Sequence, residues 1–218
     1  MKTDLQLTRD VLDELKWQPS IKEAEIGVAV KEGVVTLTGF VESYTQKVAA
    51  ERAAENVIGV RAVARDLKVK LPGTSVRTDT EIAHAALNAM KWNIDVPADR
   101  IKVKVEDGWI TLDGDVEWQF QKAAAEDAVH YLTGVKGNLN LLIVRQPRAS
   151  TFEVSQRIQD AFKRSATIDS QRISVETKEG RVVLKGTVRS LAERQDAENA
   201  AWNAPGVAIV DDQIAVGI

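Results

Sequence analysis

One phrase occurs three times. Residues 31–41 read KEGVVTLTGFV, residues 106–116 read EDGWITLDGDV, and residues 178–188 read KEGRVVLKGTV. A repeat at fixed spacing restricts the fold more than any local propensity, because each copy has to bury the same apolar positions in the same way. The likeness extends beyond the phrase: 26–69 aligns without a gap on 101–144 and on 173–216, at offsets of 75 and 147. The same offsets carry back through an upstream helical pattern to Asp4, Asp79 and Thr151. The 218 residues are therefore three copies of a unit of about 66 residues, a length that folds as one small domain. A hydrophobic content of 44% supplies a core for each. The expected domains are 1–70, 77–145 and 150–218.

Each copy reads alike. Asp4, Asp79 and Thr151 are the expected helix N-caps. Behind them Leu7, Val11 and Leu15 recur at helical spacing, matched by Ile82, Ala86 and Met90 and by Val154, Ile158 and Phe162. Strict alternation follows: Ile26, Val28, Val30; Ile101, Val103, Val105; Ile173, Val175, Thr177. Period two predicts a half-buried strand. Glu32-Gly33, Asp107-Gly108 and Glu179-Gly180 then predict a two-residue hairpin turn, where glycine accepts positive φ. The second strand turns Val35, Leu37 and Val41 inward, with Ile110, Leu112, Val116 and Val182, Leu184, Val188 as their matches. Gly39, Gly114 and Gly186 are expected where backbone comes close. A second helix carries small residues on its buried stripe: Ala50 and Ala53, Ala125 and Ala128, Ala197 and Ala200. Gly59, Gly134 and Gly206 are the expected C-caps, and the valine after each is expected to open a third strand. The fold class is α+β: three tandem α-β-β-α-β units, each with two helices packed on a three-stranded mixed sheet.

This order, the G-x-[VI]-x-L-x-G phrase and the Gly-Val before the last strand resemble the BON domain (bacterial OsmY and nodulation), three times over. The resemblance covers nearly the whole chain. It implies a small α+β sandwich and no enzymatic activity. It also implies a link to envelope integrity, osmotic stress and attachment to phospholipid surfaces.

Residues suited to catalysis do not accumulate. There is no cysteine, which excludes disulfides, thiolate catalysis and zinc–thiolate sites. The two histidines, His84 and His130, fall in different helices and recur in no sister copy; each reads as a surface or packing residue. Twelve positions are identical in all three copies, and Glu51, with its matches Glu126 and Glu198, is the one polar member. Each follows Lys47, Lys122 or Arg194 by four residues, so an exposed i,i+4 ion pair is expected. Asp113-Gly114-Asp115 lacks the ligand spacing of an EF-hand calcium loop. No phosphate-binding loop and no G-x-S-x-G elbow appears. The expectation is a protein that is not an enzyme and uses no cofactor and no metal.

Function is therefore sought where the copies differ. Trp109 stands where the sisters have Val34 and Arg181; Trp118 replaces Ser43 and Ser190; Phe120 replaces Thr45 and Ala192. With a two-residue turn, Glu106 pairs across from Trp109, Lys104 from Thr111 and Lys102 from Asp113. Trp109, Trp118, Phe120, Lys102 and Lys104 form the expected contact surface. Trp17 and Trp92, matched in the first two copies, read as local packing. The linkers KLPGTSVRT (70–78) and RQPRAS (145–150) are short.

A net charge of −3, without a clustered basic excess, argues against nucleic acid as a partner. The expected partner is a phospholipid surface, with a self-associating protein–protein scaffold, a homo-oligomer acting in a stress response, as the alternative. No apolar run is long enough to span a bilayer. The N-terminus MKTDLQLTRDVLDELKW lacks the apolar core and small-residue cleavage site expected of a secretory leader. A complete chain is expected in the cytoplasm, a trimmed mature form in the periplasm.

Overall fold

The structure is a computed structural model that describes residues 2–22, 25–145, 151–165 and 168–217. The expected second linker beyond Arg145 and the side chain of Thr151 lie outside the described residues. Repeat one comprises α1 (Asp4–Trp17), β1 (Ile26–Lys31), β2 (Val34–Val41), α2 (Tyr44–Asn56) and β3 (Ala62–Val69). Repeat two comprises α3 (Asp79–Trp92), β4 (Ile101–Glu106), β5 (Trp109–Val116), α4 (Gln119–His130) and a last strand in two pieces, β6 (Gly137–Asn140) and β7 (Ile143–Val144). Repeat three comprises α5 (Thr151–Arg164), β8 (Ile173–Lys178), β9 (Arg181–Val188), α6 (Leu191–Trp202) and β10 (Ile209–Val216). The expected α-β-β-α-β order is present in all three.

The first helix of each repeat buries the expected stripe: Leu7, Val11 and Leu15; Ile82, Ala86 and Met90; Val154, Ile158 and Phe162. Its start is one residue earlier than expected. Thr3 and Thr78 are the N-caps, each closing a capping box with the side chain three residues on, Gln6 and Glu81. Asp4 and Asp79 occupy the first helical position instead, where the helix dipole favours a carboxylate.

Those carboxylates are used elsewhere. Asp4 Oδ2 accepts from the Glu32 N–H at 2.9 Å and Oδ1 from Gly33 at 3.1 Å. Asp79 accepts from Asp107 and Gly108, both at 2.9 Å. Each aspartate thus ties the helix start to the hairpin turn of its own repeat. The turns have positive φ at both central residues, 53° and 77° at Glu32-Gly33 and 51° and 80° at Asp107-Gly108, as a type I′ turn requires.

In every sheet the second strand is central. In repeats two and three it runs antiparallel to the first and parallel to the third, as the pairings β4–β5, β5–β6, β8–β9 and β9–β10 record. The expected cross-strand partners of the repeat-two hairpin are the ones observed. Gly114 and Gly186 sit at φ 138° and 144°. A Cβ at either would collide with a backbone carbonyl oxygen, of Arg100 or of Arg172, which is the close approach that the sequence predicts there.

The helix ends differ from expectation. α2, α4 and α6 close at Asn56, His130 and Trp202; Tyr131 and Asn203 cap the latter two. Gly59, Gly134 and Gly206 lie in the turn that follows, at φ 96°, 95° and 85°, so they redirect the chain rather than cap the helix. Val60, Val135 and Val207 are buried, but they fill the core beneath that turn, two residues before the strand begins.

The residues divide into two compact units, one of 1–38, 49–66 and 146–218, the other of 39–48 and 67–145. Within the first, the core of repeat three is closed on itself. Val154, Ile158 and Phe162 of α5 join Val175, Val182, Leu184, Ala197 and Ile214 of the sheet and second helix in one buried cluster.

Candidate contact surface

The helices cover one face of the repeat-two sheet, and alternation sends the odd-numbered residues of β5 to the other. Trp109 is there and 49% exposed. Its neighbour in β6 is Gly137, and a Cβ on that glycine would meet Trp109 Cε3 at 2.6 Å. The indole therefore lies across bare glycine backbone, with one side still in solvent. Lys102 and Lys104 are exposed on the same face. Lys104 reaches Glu106 at 2.7 Å, a hydrogen bond that holds its ammonium pKa above the ordinary lysine value.

Trp118 and Phe120 do not join this group. They follow the far end of β5, an eight-residue strand that spans roughly 23 Å at about 3.3 Å per residue. Trp118 is half-buried at the N-cap of α4, and Gln121 Oε1 accepts from its N–H at 3.0 Å. Phe120 is exposed. Of the five expected contact residues, Trp109, Lys102 and Lys104 share a surface.

Three further apolar side chains extend it. Leu139 pairs beside Thr111 and Ile143 beside Asp115. Leu139, Leu141 and Ile143 are 52%, 49% and 56% exposed, while Leu142 between them is buried. Together with Trp109 they make an apolar stripe along the outer side of β6 and β7. Comparison across the copies, which singles out Trp109, also holds the signal for this stripe. The sisters have Ala64, Asp66 and Lys68 in one, and Asp211, Gln213 and Ala215 in the other. The apolar Leu142 and Val144 on the inward side mask this outward stripe in the segment NLNLLIV.

The expectation of local packing for Trp17 and Trp92 is wrong. They are 80% and 89% exposed, and Ile94, two residues beyond Trp92, is 97% exposed. Both helices end at the tryptophan, so the ring leaves the last turn on the side away from the buried stripe. Lys16 and Lys91 precede the two rings in the last turn.

The recurring glutamate is not an exposed ion-pair partner. Glu51 is buried, with Arg65 Nε at 3.6 Å. Lys122 donates to the Leu142 carbonyl at 2.8 Å, and Arg194 to Asp212 Oδ2 at 2.5 Å. These cations tie the second helix to the last strand, while Glu126 accepts from Asn140 and Glu198 from Trp202. His84 is exposed; His130 is buried against Tyr44 and Tyr131, with ring centroids 5.2 and 4.7 Å away. Among the described residues no cluster of three or more His, Asp or Glu side chains is placed to hold a metal. Nor is any helix among the described residues long and apolar enough to cross a membrane.

A family model of the BON domain matches residues 3–70, 78–146 and 150–218. Over 145 residues the chain is 34% identical to Osmotically-inducible protein Y of Escherichia coli (strain K12), a match covering 63% of this chain and 70% of that protein. Among solved structures, CdsD, a structural protein of the Type III secretion system of Chlamydia trachomatis, matches at 14% identity over 97% of this chain and 92% of its own, with a TM-score of 0.28. A structure of its C-terminal domain matches at 14% identity over the full length of both chains, with a TM-score of 0.27. At such scores the structural likeness carries no argument. The three family matches span nearly the whole length, and the chain belongs to the BON domain family.

Proposed function

We propose that this chain is a non-enzymatic binding protein that attaches to phospholipid surfaces during osmotic or envelope stress. The stress context is supported by its likeness to a relative named for osmotic induction. The observation that carries the membrane reading is the pair Trp92 and Ile94, which stand almost wholly in solvent at the end of α3. An indole and a branched aliphatic side chain held in water gain free energy on entering the headgroup–acyl boundary, where indole is amphipathic enough to stay. Lys91 beside them has a stem long enough to keep its ammonium among the phosphates. Trp17 with Lys16 offers the same chemistry on repeat one.

Co-sedimentation of the full chain with phosphatidylglycerol and with phosphatidylcholine vesicles, at low and high salt, tests this. Binding should favour the anionic lipid and fall with salt, as attraction by exposed lysines is screened. Trp92→Ser with Ile94→Ser should weaken it by about tenfold or more, since each buried side chain of this size is worth up to ~1.5–3 kcal/mol. Equal pelleting of the double variant and the wild type would remove the support for a membrane role.

A further inference from the structure

We propose that the outer face of the repeat-two sheet is an interface through which two copies of this chain pair, each presenting the same face. Its centre is the stripe of Trp109, Leu139, Leu141 and Ile143, each about half exposed. Four large apolar side chains in a row on a sheet face are a protein-contact feature, whereas single exposed ones are ordinary. Repeat three fills the positions of Trp109 and Leu139 with charged side chains. Arg181 and Asp211 pair across β9 and β10 at 2.6 Å, and Lys185 and Glu176 pair across β8 and β9 at 2.9 Å. Repeat two replaces the first of these ion pairs with Trp109 beside Leu139.

The charges around the stripe select a second copy as the occupant. Arg100 pairs with Asp115 and Glu117, and Lys104 with Glu106. Among the described residues this leaves Lys102 and Asp113, cross-strand neighbours on this face, and Arg145 beyond Ile143 without an ion pair. A face that offers both free cations and a free anion is complementary to itself, because a two-fold axis sets the anion of one copy against a cation of the other. An anionic lipid surface finds no net attraction on this face, where Glu106, Asp113, Asp115 and Glu117 balance Arg100, Lys102, Lys104 and Arg145. Strand addition at the edge is also blunted, because the last strand breaks between β6 and β7. Sheet-on-sheet packing through the side chains is what remains.

This inference is independent of the membrane reading, and its test uses a different variant. Sedimentation equilibrium of the full chain should give a concentration-dependent mass rising from 23.9 kDa towards its double. Leu139→Asp with Leu141→Gln should weaken pairing by about tenfold or more without lowering the melting temperature. Repeat three already carries Asp211 and Gln213 at these positions in the same fold. Ile143→Ala, which copies Ala215, is the milder second variant and should weaken pairing less. A wild-type chain that stays at the monomer mass at every concentration overturns the proposal. So does a double variant that keeps the wild-type mass distribution, or one that loses vesicle binding while its association state is unchanged.

Discussion

Asp79 lies where the positive end of the α3 dipole favours an anion, and its two oxygens also accept from both N–H groups of the Asp107-Gly108 turn. A type I′ turn leaves those donors pointing outward, so without the carboxylate they would turn to water. The interaction joins residues 28 and 29 positions apart and fixes the hairpin against the start of the helix. Asp79→Ala removes two charge-assisted bonds at a half-buried site, worth about 1–3 kcal/mol. The expected outcome in a denaturant melt of the full chain is loss of that order. Asp79→Asn, which keeps one acceptor oxygen, should lose less. Equal stability of all three proteins would mean that the turn holds its own geometry. The role was hidden in the sequence because an aspartate before an apolar helical stripe reads equally well as an N-cap. The threonine one residue earlier, with Gln6 or Glu81 three residues beyond it, was the clue to the true cap.

At the scale of elements, the outer face of repeat three is held by ion pairs between strands, and these should respond to acid. The Asp211 carboxyl is kept below the ordinary aspartate pKa, first by its hydrogen bond from Arg181. Asp160, hydrogen-bonded by Lys163 on α5, is lowered as well. A depressed folded-state pKa contributes stability that is present above the unfolded value of about 4 and lost as pH falls through the folded one. Melting temperatures should therefore drop between pH 5 and pH 3, and Asp211→Asn should flatten the fall. A variant that follows the wild-type pH curve would show the pair to be without energetic weight. Both partners are partly exposed, so high salt should shrink the effect. The strands themselves were legible because alternation, acid-Gly turns and the glycines at 39, 114 and 186 each answer to one backbone requirement. The ends of the second helices were less so. A glycine with positive φ serves a C-cap and a later turn alike, and only the hydrogen bonding separates the two. The outward stripe on β6 and β7 was masked by the apolar Leu142 and Val144 on the inward side.

Across the whole molecule, three copies of one unit raise the question of how far each stands alone. A chain of about 66 residues buries only about 60% of the surface its unfolded form exposes, which leaves it marginal. Repeat three nevertheless has a complete core. Phe162 and Ile158 from its first helix, Val182 and Leu184 from its central strand, Ala197 and Ala201 from its second helix and Ile214 from its last strand are all in one cluster, with exposures of 3% or less. No side chain from another repeat is among the buried members of that cluster. The helix, hairpin, helix and parallel strand that build it are contiguous in sequence, so its contacts are local and need no distant segment to form. Residues 150–218 expressed alone should therefore give a circular dichroism spectrum of mixed helix and strand and melt cooperatively. The midpoint is expected below that of the full chain, because every surface the rest of the molecule covers is opened to water. Leu184→Ala in this fragment deletes a fully buried side chain from the centre of the cluster, at a cost of about 2–5 kcal/mol, comparable to the whole stability of so small a domain. The variant should then be largely unfolded at room temperature. A fragment with a random-coil spectrum, or a Leu184→Ala fragment that melts like its parent, would mean that the core of repeat three depends on the rest of the chain.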